Sequence, residues 1–417
     1  MTVARDPEFS RSESTRAAAS AGGAPPGDAP SDPTQPQGQP RRRVVVWGTY
    51  DLGKPRVRLL IDGLREHGIE VIECHSDVWH SVEDKSQLAG WRAKARLSWR
   101  WLSAYPGLLL RYLRLPPHDA VVIGYLGHLD VLLLWPLAKL RGKPMIWDAF
   151  LSLYNTVVED RCLVTRGHPL ASLLFAWEWL ACRAAATVVT DTAAHGRYFT
   201  ETFGLAPEKI QRVFVGAEPD LFYPAPQESD QRDAQRAFTL LFYGQFIPLH
   251  GIETIVRAAK LTEGQGISWQ LIGTGQQAAA IRALIAELTP CNLSWESWVP
   301  YANLVHRIHA ADTCLGIFGT TDKAQRVIPN KVFQIIAGGR PLITADTPAV
   351  RELLVPNPIV RLIPPGDPAS LASAARAMAD QLRSGPAGDA HAALRPSVLP
   401  SAVVGDLIKR LPRASRP

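Results

Sequence analysis

One rhythm constrains this chain more than any other feature, and it runs twice. Short continuous apolar runs alternate with amphipathic helical stretches, stop at a polar segment, and then restart. In the first half the runs are Val44–Trp47, Ile69–Cys74, Ala120–Tyr125, Pro144–Asp148, Thr187–Asp191 and Ile210–Val215. In the second they are Thr239–Tyr243, Ser268–Ile272, Asn292–Trp295, Thr313–Phe318, Pro341–Ala345 and Ile359–Ile363. Apolar strands separated by helices imply a parallel sheet covered on both faces. The expected fold class is therefore α/β, with two doubly wound Rossmann-like domains facing across a cleft. A chain of 417 residues also exceeds one ordinary core.

The expected boundaries follow the composition. Residues 1–43 are rich in Pro, Gly, Ser and Ala without an apolar block, so they read as a disordered leader rather than a secretory signal. Residues 44–222 form the first domain, 223–237 the linker and 238–390 the second domain. Residues 391–417 form a tail whose helix is expected to return to the first domain. Five scattered cysteines without CxxC spacing argue against a disulfide framework or a zinc site. A reducing compartment fits them best. With no run of about 18 apolar residues, a spanning helix is not expected.

Ligands of such sheets bind outside the carboxyl ends of the strands, so the strand-end loops carry the candidate chemistry. The richest is Gly319 to Gln334, which passes from a buried strand through Lys323 and Arg326 into a helix from Asn330 to Ala337. Backbone N–H groups at a helix start favour an anion by about 0.3–1 kcal/mol. Lys331 and Arg326 can add charge-assisted bonds, which suits a diphosphate. Two glycine loops accompany it: Gly244-Gln245 through His250-Gly251, and Gly273-Thr274-Gly275. For the second, a lone GxG, plain turn chemistry is the better reading. In a fourth segment Thr347 is placed to cap a helix beginning at Pro348.

The phrases FYGQFIPLHGIETIVRAAK, QLIGTGQ, KAQRVIPNKVFQIIAGGRPLITADTPAVREL and LIPPGDPASLA, in that order, resemble the retaining glycosyltransferases of family 4, which have the GT-B fold. The resemblance runs from about Val44 to the helix after Pro368 and is closest in the second domain. It implies transfer of a sugar from a nucleoside diphosphate donor with retention at the anomeric carbon. The nucleotide would lie on the second domain and the acceptor on the first. No metal or other cofactor is implied, because cations and helix N-termini neutralise the leaving diphosphate. It makes Gly244, Gln245, His250, Gly251, Gly273, Gly275, Lys323, Asn330 and Gln334 the donor-binding candidates, with Arg326 and Lys331 catalytic. The chain departs from the family where two glutamates seven residues apart are expected, since positions 326 and 334 are Arg326 and Gln334. Exchanging the ribose-binding glutamate for Gln334 is expected to weaken that grip by about 1 kcal/mol.

On the first domain, His128 follows a strand end where the family often has a histidine facing the reacting sugar. A histidine packed at a helix cap is the other reading. Asp148, Ser152, Asp160 and Arg161 follow another strand end and read as an acceptor-side cluster or as a local hydrogen-bonded turn.

The net charge of +6 is concentrated. From Lys85 to Arg114 there are seven cations and no acid, interleaved with Trp91, Trp99, Trp101, Tyr105 and Tyr112. Rings at headgroup depth and cations near anionic lipid, about 1 kcal/mol each, make Trp91, Arg92, Arg96, Trp99, Arg100 and Trp101 a candidate membrane patch. A solvated helix with its tryptophans in the core is the other reading. No nucleic-acid module accompanies the patch, so nucleic acid is not an expected partner. These readings converge on a cytoplasmic transferase, peripheral on the inner face of a membrane, acting on a glycan or lipid-linked acceptor in polysaccharide biosynthesis. A sugar-nucleotide epimerase and a degenerate, noncatalytic nucleotide-sugar binder are the alternatives.

Overall fold

The structure, a computed structural model, describes residues 41–79, 91–225, 236–383 and 389–414. Most of the expected leader and linker, together with Lys85, lies outside the described residues, as do the side chains of Trp91 and Lys94.

Among the described residues, twelve parallel strands form two sheets of six. The first sheet runs β2-β1-β3-β4-β5-β6, from β1 (Arg43–Gly48), β2 (Glu70–His75), β3 (Ala120–Ile123), β4 (Met145–Asp148), β5 (Thr187–Thr190) and β6 (Ile210–Arg212). The second runs β12-β11-β10-β7-β8-β9, from β7 (Phe238–Tyr243), β8 (Ile267–Ile272), β9 (Leu293–Glu296), β10 (Thr313–Leu315), β11 (Leu342–Ala345) and β12 (Val360–Ile363). Both are doubly wound, and each switches direction once: between β1 and β3, and between β7 and β10. Every apolar run of the sequence overlaps one of these strands. The central strands, such as β3, β4, β7 and β11, are buried along their whole length, which is why they read as continuous apolar runs.

The helices α1 (Pro55–Glu66), α2 (Trp91–Leu113), α3 (His128–Leu140), α4 (Pro169–Ala184) and α5 (Ala193–Phe203) serve the first sheet. Inner-face residues Tyr105, Leu108 and Tyr112 of α2, Val131 and Leu134 of α3, and Ala181 and Cys182 of α4 form one core with Trp47, Ile123 and Trp147 of the sheet. On the opposite face α1 packs with Val403, Val404 and Leu407 of the last helix, α11 (Pro400–Arg410). Gly63 makes this approach close, since a Cβ there would lie 2.4 Å from the Pro400 carbonyl oxygen. The second sheet is covered by α6 (Ile252–Leu261), α7 (Ala278–Leu288), α8 (Leu304–Ala310), α9 (Asn330–Ala337) and α10 (Pro368–Arg383). The tight fit of α9 reflects its sequence: every residue from Lys331 to Ala337 is buried.

Candidate functional site

The second sheet's switch point lies between β7 and β10, and the loops leaving those two strands build the candidate donor site. After Tyr243 the chain turns at Gly244 (φ +139°) and forms a short turn, Pro248–His250, before Gly251 (φ +64°) opens α6. The loop after β8 interlocks with this one. Phe246 N–H donates to the Thr274 carbonyl at 2.9 Å, and Gln277 N–H to the Phe246 carbonyl at 2.9 Å. Gly273 is at φ +143°, and a Cβ there would lie 1.9 Å from the Gly244 oxygen. Glycine is therefore a requirement of the contact between the loops, which turn chemistry alone does not express.

Lys331 lies beneath this floor. Its side chain is buried, and its ammonium stands 3.7 Å from the centre of the Phe242 ring. Nζ has no hydrogen-bond partner among the described residues. Burial alone pushes this lysine well below its ordinary value. A Cβ on Gly244 would come within 3.0 Å of that Nζ, so glycine lets the loop backbone lie close over the ammonium. His250 is buried beside it and donates from Nδ1 to the Gln245 carbonyl. Burial and then the Lys331 charge hold His250 well below the usual histidine range, against the pull of that carbonyl. Gln245 is exposed at the lip, and Asn330, half-buried, is the first residue of α9.

The other two cations of the loop point elsewhere. Lys323 Nζ donates to Thr156 Oγ1 at 2.9 Å and lies 3.5 Å from Asp160 Oδ2, both on the first domain. The Arg326 guanidinium stacks 4.4 Å from the centre of the Tyr198 ring on α5, and its Nε donates to the Asp322 carbonyl at 2.8 Å. Its own carbonyl accepts from the Thr192 hydroxyl. Gln334 is engaged at both ends of its amide. Tyr243 OH donates to Oε1 at 3.1 Å, while Nε2 donates to Tyr301 OH at 3.0 Å. Tyr301 passes its own proton to Glu218 at 2.6 Å, and Glu218 pairs with Arg58 of α1. A further strap was not foreseen from sequence: the Glu352 carboxylate accepts from the N–H groups of Ala193 and Ala194, both at 2.8 Å, at the start of α5. Thr347 does accept from Val350 N–H at 3.1 Å, but what it caps is a three-residue turn, Val350–Glu352, and not an α-helix.

The acceptor-side candidates are largely occupied by the fold. Asp148 forms a buried two-pronged pair with Arg56, whose Nη1 also donates to the carbonyls of Val213 and Phe214 at 2.7 Å each. Ser152 Oγ donates to the buried Glu178 at 3.0 Å. Asp160 and the half-buried Arg161 close a wide helical turn, Asn155–Asp160, whose Thr156 and Asp160 receive Lys323. His128 opens α3 but is 3% exposed, edge-on to Trp147 at 4.9 Å and Trp177 at 6.1 Å, with Glu178 Oε1 3.5 Å from its Nε2. It is the packed histidine at a helix start. Arg56 and Glu178 were missed because an arginine in a helix's first turn and a lone glutamate between two tryptophans carry no pattern. Their roles arise only from pairs 92 and 26 residues apart.

The candidate patch on α2 divides by face. Trp99 is three-quarters exposed, and Arg92, Arg96 and Arg100 stand outward. Trp101 turns inward and donates from Nε1 to Thr49 Oγ1 at 2.7 Å. Tyr105 and Tyr112 are in the core. The interleaved sequence thus folds into a wet side and a packed side, the ordinary outcome of helical periodicity.

Residues 237–381 match the family described as glycosyl transferases group 1. That span is a glycosyltransferase domain. Across the chain, solved structures show the same GT-B fold. Sucrose-phosphate synthase from Thermosynechococcus elongatus is similar at a TM-score of 0.63 and 16% identity, covering 89% of this chain and 99% of its own. HepE from Anabaena, in complex with UDP, gives 0.62 and 13%, covering 88% and 99%. The lipopolysaccharide outer core galactosyltransferase WaaB, in its apo form, gives 0.56 and 12%, covering 88% and 98%. No curated protein matches the chain in sequence. The GT-B arrangement places the glycosyltransferase domain's switch-point loops opposite the first domain's, and it is across that gap that Lys323, Arg326 and Glu352 reach.

Proposed function

We propose that this chain moves a sugar from a nucleoside diphosphate donor to a glycan or lipid-linked acceptor, with retention at the anomeric carbon, as the glycosyltransferases of family 4 do. The observation that carries the reading is Lys331. A buried ammonium without a partner is costly, and its location at a switch point, under two glycine loops and at the start of a helix, suits an anion that arrives with the substrate. HepE, similar in fold, is solved in complex with UDP, which supports a nucleoside diphosphate sugar as the donor.

In this reading the diphosphate enters over Gly244 and Gly273 and is met by Lys331 and by backbone N–H groups at the start of α9. Charge that builds on the leaving diphosphate oxygen is stabilised there as the sugar–oxygen bond lengthens, without a metal ion. The acceptor hydroxyl attacks from the same face and passes its proton to the departing phosphate. His250, held neutral by burial, positions the loop and adds no charge of its own. Lys323 and Arg326 hold the cleft shut around the donor. His128 takes no part in this account, since packing explains its position. We place the enzyme on the cytoplasmic face of an anionic membrane, in polysaccharide or glycoconjugate assembly. None of the helices among the described residues is long and apolar enough to cross a membrane.

A second reading, a noncatalytic nucleotide-sugar binder, is favoured by the engagement of Arg326 and Gln334 within the protein itself. A thermal-shift and hydrolysis screen against UDP-, GDP-, ADP- and dTDP-sugars separates the two. One donor that stabilises the protein, is slowly hydrolysed, and does neither with Lys331→Ala supports the transferase. Stabilisation without hydrolysis or transfer supports the binder, and no stabilisation by any donor overturns both.

A further inference from the structure

Sixteen large hydrophobic side chains stand exposed among the described residues, and nine of them belong to α2, α3 and α4. They include Trp99 and Leu110 of α2, Trp135 and Leu140 of α3, and Leu173 and Leu180 of α4. The inner sides of these three helices enter one core on one face of the first sheet, so the three cover the same side of the domain. A concentration of exposed apolar area on one side of a domain marks an interaction surface.

The charges narrow the partner. The three helices carry two acids, Asp130 and Glu178, which are 1% and 0% exposed. Both face inward, Asp130 to Thr49 and Tyr105, and Glu178 to Ser152 and the Tyr154 N–H. Every described charge that stands exposed on these helices is a cation: Arg92, Arg96, Arg100, Arg111, Lys139 and Arg183. A second copy of the chain docking on this face through a two-fold axis would set arginines against arginines, which disfavours it. A surface that is apolar, exposes tryptophans and carries only positive charge is complementary to an anionic bilayer, where apolar side chains enter the acyl boundary and cations meet headgroups.

We infer that the outer face of α2, α3 and α4 together is a docking surface for an anionic lipid bilayer. This deepens the membrane-side reading given above, on which it rests, by extending the surface from one basic helix to a three-helix layer. The geometry also connects the surface to the cleft. From the inner side of α2, Trp101 donates to Thr49 and Tyr105 OH donates to Asp130 at 2.6 Å, and Asp130 accepts the Thr49 N–H at 2.9 Å. Thr49 begins the loop after β1, at the first sheet's own switch point. Docking therefore brings the acceptor side of the cleft to the lipid surface, which suits an acceptor with a lipid anchor.

The test is co-sedimentation of the full chain with vesicles of phosphatidylcholine alone and of phosphatidylcholine with one-third phosphatidylglycerol, at low and high salt. Each cation near anionic lipid is expected to raise affinity about fivefold, so binding should require the anionic vesicles and weaken with salt. Leu140→Glu with Leu173→Glu, on α3 and α4, should lower it at least tenfold while leaving the donor-induced thermal shift unchanged. Lys139→Glu with Arg183→Glu, at exposed cations, supplies a second variant should the first fail to fold. Unchanged vesicle binding in either folded variant would refute the three-helix surface and leave α2 alone as the anchor. Absence of binding by the native chain to either vesicle would refute docking, and the donor-induced shift, measured in the same preparation, reports separately whether the transferase reading survives. Self-association that the substitutions abolish would instead identify a second copy as the occupant and overturn the proposal.

Discussion

Lys323 of the second domain lies 3.5 Å from Asp160 of the first, and both side chains are largely withdrawn from water, at 12% and 4% exposure. Burial pulls the lysine below its ordinary value, while the charge of Asp160 opposes that pull. Removing one partner of a buried pair costs about 3–5 kcal/mol when the other stays buried. Parting of the two domains would let water reach Lys323 and relieve that cost. Asp160→Ala is therefore expected to enlarge the radius of gyration in X-ray scattering and to speed hydrogen exchange in residues 152–161 and 319–329. Scattering and exchange identical to those of the native chain would show that the pair does not hold the cleft.

Lys331 presents the opposite case, a buried cation with nothing to oppose its burial. Its folded value lies well below 10.5, so between those two values the unfolded chain binds more protons than the folded one. Stability from this group thus rises as pH climbs through that window, and its penalty vanishes only above 10.5. Lys331→Met is expected to be more stable than the native chain at pH 7 without donor, the difference shrinking as pH approaches 10.5. The same variant should lose the stabilisation that a nucleotide sugar gives the native chain. Denaturation curves at pH 7, 8.5 and 10 test the first claim. A variant less stable than the native chain at pH 7 would mean that Lys331 has a partner in the resting protein.

The glycine loops lend themselves to a single substitution. Gly273→Ala would place a methyl 1.9 Å from the Gly244 oxygen at a φ that side chains rarely adopt. Overpacking of this kind costs about 1–3 kcal/mol, and the backbone strain a similar amount. Because the loops interlock, the expected result is a lower midpoint in urea together with loss of the donor-induced thermal shift. Gly68→Ala is the control at a surface turn, where positive φ is strained but no neighbouring atom lies within 4 Å of the added carbon. Full donor binding by Gly273→Ala would separate the loop contact from the donor site.

The central strands, such as β3, β4, β7 and β11, were legible because they are buried and continuous, and α9 was legible because its apolar residues crowd between Pro329 and Gly338. Lys331 was legible as a cation at a helix start. The destinations of Lys323 and Arg326 were not, because their partners, Asp160 and Tyr198, lie more than a hundred residues away in the other domain. His128 shows the same limit from the other side. Its place after a strand invites a catalytic role, and only the packing of Trp147 and Trp177 around it reveals a core residue. On α2, periodicity could place Trp99 and Trp101 about 200° apart around the helix, yet which of them faces water depends on Thr49, from a different element.

Gln334 allows the missing glutamate to be tested directly. Its amide accepts from Tyr243 and donates to Tyr301, whose proton goes to Glu218. In Gln334→Glu the donor to Tyr301 is lost, and two carboxylates would compete for one phenolic proton. An acceptor left unpaired at a buried position costs about 1–3 kcal/mol, so the variant is expected to unfold at lower urea in the absence of donor. If the new carboxylate also takes the ribose hydroxyls, a charged bond in place of a neutral one should tighten nucleotide-sugar binding by about 1 kcal/mol, or roughly fivefold. Urea titration and isothermal calorimetry on the same protein read the two effects independently. Unaltered stability would refute the role of Gln334 in the chain from Tyr243 to Glu218, and unaltered affinity would place the ribose away from position 334.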